Sequence, residues 1–187
     1  MDKKDIILIL LASKKNPLVG TTKMQKLLFL SEKEKSIIPD EDDFNFQPYK
    51  YGPASKELYN DLDFLVNIGY ITKSDDNEKF NNLEIDNIEE YGADIFLSES
   101  KSNSEDDECT GNDNNETTKE NDSIVYNITE EGLNYLKTNN YLQTEEYRKI
   151  GDVNKKYGNY SLTSLLQYVY RNYPDYTIES EIKNDIL

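Results

Sequence analysis

A mainly helical α+β fold is what this sequence predicts, and three observations predict it. Apolar residues recur at helical spacing in several stretches, most regularly at 58–66 and 162–173. Short runs rich in aromatic and β-branched residues stand between some of them. One stretch, residues 98–123, has no aliphatic or aromatic side chain at all. The 187 residues suit one domain with a real hydrophobic core.

The first helix is expected from Asp2 or Lys3 to about Lys14, although its apolar residues 6–12 are too contiguous to define one face. Thr21 or Thr22 has the side chain of an N-cap for a second helix over 23–35, with Met24, Leu27, Leu28 and Leu30 inside it. Pro39 and the acidic residues 40–43 end it. Phe44, Phe46 and the run to Tyr51 predict a short extended segment, stopped by Gly52-Pro53. A third helix begins near Pro53 or Ser55. Its Leu58, Leu62, Leu65 and Val66 fall at i, i+4, i+7 and i+8, one amphipathic stripe, and Gly69 suits its C-cap.

Residues 70–73 then enter a strand. Phe80, Leu83, Ile85 and Ile88 make a second extended run and residues 124–128 a third, which predicts an antiparallel pair with a long charged tip. Two helices, a short strand, a third helix and a strand pair give the order of a winged helix-turn-helix. Thr129 caps a further helix that carries Glu130 and Glu131 at the positive end of its dipole and Leu133 and Leu136 as apolar contacts. A C-terminal helical layer closes the chain. It comprises 144–157, with Tyr147, Ile150 and Val153, and 161–173, whose apolar positions run from Leu162 to Tyr173 until Pro174 ends them. The expected organisation is one domain: a winged-helix core at 1–97 and 124–140, a disordered acidic loop at 98–123 inserted in the wing, and C-terminal helices at 141–187.

The net charge is −16, from 37 acidic and 21 basic residues, but it is not spread evenly. Residues 1–73 carry 11 of each sign, whereas 74–97 and 98–123 each carry a net −7. Partners of the nearly neutral remainder therefore cannot be read from the total. Residues 98–123 cannot bury enough apolar area to offset the entropy of ordering them, which predicts disorder. The absence of histidine excludes mechanisms that need an imidazole as base, shuttle or ligand. Cys109 stands alone, so neither an intramolecular disulfide nor a thiolate zinc site is available. Lys3 and Lys4 before the apolar residues 6–12 imitate a secretory signal, but Ser13, Lys14 and Lys15 follow where a cleavage site should stand. With no stretch of 18 or more apolar residues, a cytoplasmic protein without membrane contact is expected.

Three blocks carry a family resemblance. They are Lys23-Met24-Gln25-Lys26-Leu27-Leu28-Phe29-Leu30, then Tyr49-Lys50-Tyr51-Gly52-Pro53-Ala54-Ser55-Lys56-Glu57-Leu58-Tyr59, then Leu65-Val66-Asn67-Ile68-Gly69-Tyr70-Ile71. They resemble the Panacea domain, a group that includes SocA-type antitoxins and YwgA-like proteins. Tyr168-Val169-Tyr170-Arg171-Asn172-Tyr173-Pro174 resembles the closing helix of that family, and residues 126–133 resemble the strand-to-helix exit of many winged-helix domains. The acidic insertion departs from the pattern. The resemblance implies a non-catalytic winged-helix scaffold acting as an antitoxin or adaptor, one that neutralises a toxin or delivers it to a protease.

A DNA-reading third helix should offer arginine or lysine on its exposed face. It offers Lys56 against Glu57, Asp61 and Asp63, and each carboxylate opposes the attraction to phosphate on which DNA binding depends. Lys23, Lys26, Lys33 and Lys35 on the second helix read as a solvated face. Gly52-Pro53 is expected to make the turn that sets the angle of the third helix, with Tyr49 and Tyr51 beside it.

Ten of the 15 tyrosines lie between Tyr126 and Tyr176. Half-buried packing between helices explains them, since a tyrosine needs its hydroxyl near water or a partner. Anchors on a partner surface are the sharper reading. The expected partner surface is Tyr49, Tyr51, Lys56 and Tyr59 with Tyr168, Tyr170, Arg171 and Tyr173.

Two apparent metal motifs lack their surroundings. Asp175 with Glu181 and Lys183 spells the residues of a metal-dependent nuclease, but the five residues between the carboxylates leave no room for the core hairpin such a site needs. Asp106, Glu108, Thr110 and Gly111 imitate a calcium loop whose twelfth position is Thr117 instead of glutamate. The expected function is protein interaction, antitoxin-like or regulatory, with a toxin, a protease or a second copy of the chain as partner. No catalytic residue, cofactor or metal is expected. A DNA-binding transcription regulator is the alternative reading, and a metal-dependent nuclease the third.

Overall fold

Six consecutive apolar residues, Ile6 to Leu11, cannot share one side of a helix. The computed structural model describes residues 1–14, 16–37, 43–74 and 124–186. In it, α1 (Lys3–Ala12) buries all six, each at most 5 % exposed. A helix apolar all round has to be enclosed by other elements. Here α1 is surrounded by α3 (Glu57–Asn67), β3 (Val125–Ile128), α4 (Glu130–Thr138) and α5 (Glu145–Tyr157). Its start is fixed by a reciprocal cap: Asp2 accepts from the Asp5 N–H, and the Asp5 side chain accepts from that of Asp2. Asp5 is itself buried and also accepts from the Tyr135 hydroxyl of α4 at 2.9 Å.

The fold is mainly helical α+β, with a small antiparallel sheet of order β1-β3-β2. β1 (Leu18–Val19) pairs Leu18 with Tyr126, and β2 (Ile71–Ser74) pairs Ile71 with Ile128 and Ser74 with Val125. The extended segment expected at 44–51 is not a sheet strand. It makes one isolated bridge, Gln47 to Ala54, because Pro48 has no N–H for a ladder and Phe44 and Phe46 are held by ring packing instead. The second neighbour of β3, besides β2, is β1, two residues between Pro17 and Gly20 and too short to show a period in sequence.

The second helix, α2 (Thr21–Lys35), starts earlier than expected. Gly20 occupies the cap position because its N–H is bound to the Ile124 carbonyl at 2.8 Å. Thr21 is already helical, and its hydroxyl meets that of Tyr126 at 2.9 Å. The first helix ends sooner than expected, at Ala12, and the third begins at Glu57, where Ser55 Oγ accepts the Leu58 N–H. α3 closes with paired bonds, Tyr70 N–H to Leu65 O and Gly69 N–H to Val66 O, with Gly69 at φ 78°. Thr129 joins that end to the next helix: its Oγ1 lies 2.7 Å from Gly69 O, and it accepts the Gly132 N–H at the start of α4.

α6 (Leu162–Asn172), capped by Ser161 as α5 is by Thr144, lies against α2. After it come a 3₁₀ turn (Pro174–Thr177) and a short α7 (Lys183–Ile186). Phe29 of α2, fully buried, gathers the rings of Phe46, Tyr173 and Tyr176 at centroid distances of 4.9–5.4 Å. The extended run expected at 80–88, the acidic loop at 98–123, Cys109 and the calcium-like residues lie outside the described residues. No described helix is long and apolar enough to cross a membrane.

Because Ile9 is fully enclosed, Ile9→Ala should cost about 2–5 kcal/mol in a urea unfolding titration. Lys137→Ala, on the exposed face of α4, should change stability by no more than about 0.5 kcal/mol.

Candidate interaction surface

The approach to α3 is held by α2 through polar side chains that face inward. Gln25 Oε1 accepts the Ser55 N–H at 2.7 Å, and Lys26 Nζ donates to the Pro53 carbonyl at 2.9 Å, both side chains being at most 3 % exposed. An ammonium out of water is tolerated only with such partners. Lys26 is therefore a buried clamp, and the expectation of a solvated face on α2 is corrected there.

Gly52 and Pro53 make the turn into α3: the Gly52 N–H binds Tyr49 O, and Gln47 and Ala54 exchange two backbone bonds of 2.9 Å across its neck. Gly52 has φ 77°, and a Cβ there would stand 2.8 Å from Cε1 of Tyr170. No other residue satisfies both conditions. The C-terminal segment braces the far side of the turn. Ser180 Oγ lies 2.7 Å from the Tyr170 hydroxyl and donates to Lys50 O, the Glu181 N–H also donates to Lys50 O, and Lys50 pairs with Glu181 at 3.2 Å.

The eight expected partner residues separate into two groups. Tyr49 and Tyr59 are more than 40 % exposed, Lys56 and Arg171 are exposed, and Tyr51 is half-buried. The tyrosines of α6 and its end face inward. Tyr170 is 1 % exposed, which corrects its assignment to a partner surface: its ring fills the space that Gly52 leaves open. Tyr173 packs on Phe29. Tyr168 and Tyr157 both donate to Glu34 Oε1, at 2.9 and 2.6 Å, while Lys156 lies 3.4 Å from Oε2 and over both rings. Burial alone would raise the Glu34 pKa, but the two hydroxyls and the ammonium outweigh it and hold the carboxyl below its ordinary value. Burial and the shared carboxylate push both phenols up.

Leu58, Leu62 and Leu65 of α3 face the core. The solvent arc has Tyr59 on one edge and Phe64, Glu57 and Ile68 on the other, with Lys56, Asn60, Asp63 and Asn67 between them. Phe64 is 47 % and Ile68 43 % exposed. Neither belongs to the partner surface expected from the sequence, although both fall off the Leu58, Leu62, Leu65 stripe and stand four apart, which is a readable sign of an apolar edge on a polar face. The lysines of α1 that reach this helix are engaged: Lys3 with Glu57, and Lys4 with Asp61 at 3.1 Å and over the Phe64 ring at 5.5 Å. Lys3 holds the Glu57 carboxyl below its usual range. Asp175 and Glu181 lie on a turn and beside Lys50, not on paired strands. Among the described residues no group of three or more His, Cys, Asp or Glu could hold a metal ion. In comparisons with known proteins, no family model, no curated protein and no solved structure matches this chain.

Gly52→Ala should destabilise the fold by about 1–3 kcal/mol in chemical denaturation, through the strained φ and the contact with Tyr170. Glu34→Gln should lower Tm at pH 7. A depressed folded-state pKa gives stability that is present above the unfolded value of about 4.5 and is lost as pH falls through the folded one, so the Tm difference between wild type and variant should shrink as melts are taken to pH values further below the unfolded one.

Proposed function

We propose that this chain is a non-enzymatic protein-interaction module, a winged-helix scaffold of Panacea type acting as a cytoplasmic antitoxin-like or regulatory adaptor on a partner such as a toxin. The observation that carries the reading is the outward arc of α3. A helix set to enter a groove of DNA would carry cations there, and this one carries Lys56 against Glu57 and Asp63, with Tyr59, Phe64 and Ile68 at its edges. Exposed aromatic and aliphatic side chains around a small polar strip are what a protein partner buries. The element order α1-β1-α2-α3-β2-β3 with the sheet order β1-β3-β2 supports the winged-helix reading, as do the buried Gln25 and Lys26, which lie in the first block of the family resemblance.

That same element order favours a DNA-binding regulator as the second reading. It predicts tight duplex binding with a steep salt slope, and the charge of α3 opposes it.

The test is co-purification from the native host of wild type and of a Phe64→Asp, Ile68→Asp double variant, with the recovered partner then titrated in vitro. Both positions are exposed, so the variant should fold normally, while affinity should fall about thirtyfold or more, the loss of one hot spot. Duplex binding from the chain's own promoter at low salt, retained in the double variant, would refute the proposal.

A further inference from the structure

The strip along the middle of the α3 arc carries its charges in a self-complementary order. Lys56, Asn60, Asp63 and Asn67 recur at steps of four, three and four residues, and all four are exposed. Lys56, at the cap, already has helical backbone angles, φ −72° and ψ −30°, so it continues the strip. It stands seven residues from Asp63, two turns or about 10.5 Å along the axis, with Asn60 between them. Lys3 and Lys4 hold the other two carboxylates at the start and back of this helix, Glu57 and Asp61. Among the described residues neither Lys56 nor Asp63 is in an ion pair.

A face with one cation and one anion placed evenly about its middle matches itself when a second copy runs antiparallel to it. A twofold axis between Tyr59 and Asn60 sets Lys56 against Asp63 of the second copy, and by symmetry Asp63 against its Lys56. The same symmetry lays like edges side by side. The two Tyr59 rings then meet near the axis, and Phe64 and Ile68 of both copies line the opposite margin. A parallel copy, or an antiparallel one centred on Asp63, brings like charges together instead, so the charges select one register.

We propose that α3 is the contact of an isologous antiparallel dimer of this chain, joined by two Lys56 to Asp63 pairs between the copies and flanked by Tyr59, Phe64 and Ile68. This does not rest on the function proposed above, since the occupant is a second copy, but it uses the same arc. One face cannot hold both, so self-association competes with capture of a different protein. A single helix arc is smaller than the ~800 Å² per partner of a standard interface, and exposed ion pairs each add little, so the dimer is weak, with a Kd on the order of 0.1 mM.

The experiment is sedimentation of the full chain from about 10 µM to about 1 mM in about 0.15 M salt, where the Debye length of about 8 Å screens the net charge of −16 between copies but not pairs in contact. Wild type should dimerise over that range. Lys56→Asp leaves a strip with two anions and Asp63→Lys one with two cations. Symmetry counts each change twice and turns attraction into repulsion, so either variant alone should have a Kd raised about tenfold or more. Mixed in equal amounts, the two should form a heterodimer with close to wild-type affinity, and the double swap Lys56→Asp, Asp63→Lys should restore self-association. Circular dichroism checks that each variant folds, and recovery on mixing is a result that a folding defect cannot produce. A wild type that stays monomeric to about 1 mM would overturn the proposal, as would single variants that associate like wild type or that fail to recover on mixing. None of these outcomes touches the titration of the Phe64→Asp, Ile68→Asp variant against a recovered partner, so the two readings fail separately.

Discussion

The fold depends on one steric and solvation constraint: α1 has no face that can be left in water. Ile6 to Leu11 are apolar on every side, so α3, the sheet and α4 and α5 have to close around them. The polar exceptions are confined to the N-terminal turn, where Asp5 exchanges bonds with Asp2 and takes one from Tyr135. Enclosure of α1 thereby unites the N-terminal half of the chain with the C-terminal helices, and a boundary between a core and an added layer has little physical meaning at this helix.

Around that centre the polar side chains act as positioning devices. Gln25 and Lys26 hold the backbone that enters α3, Glu34 gathers Tyr157 and Tyr168 from α5 and α6, and Thr129 ties the end of α3 to α4. Each is a side-chain bond between elements distant in sequence. A buried polar group unpaired is costly, so these contacts favour one arrangement of the helices over nearby alternatives more than they add net stability.

Much of this was legible in the sequence where the signal is local. The stripe of Leu58, Leu62 and Leu65, the Gly69 helix end and the Thr129 cap are short-range patterns, and each is present in the structure. β1 was not legible, since two residues cannot show alternation and its pairing lies more than 100 residues away. The same holds for Tyr170. An aromatic residue on a helix with a tyrosine-rich face reads equally as anchor or filler, and what decides is Gly52, whose missing side chain makes room for the ring. The apolar edge of Phe64 and Ile68 has a local signal, two apolar residues four apart and off the core-facing stripe, but nothing in that spacing separates an exposed edge from a broader buried face.

The brace around residues 49–55 has a thermodynamic corollary. Bonds from α2 on one side and from Ser180 and Glu181 on the other fix the root of α3 before any encounter. Its outward side chains then forfeit little backbone entropy on contact, so complex formation should resemble the docking of rigid bodies, and the free energy of meeting can go into discrimination between rival ligands.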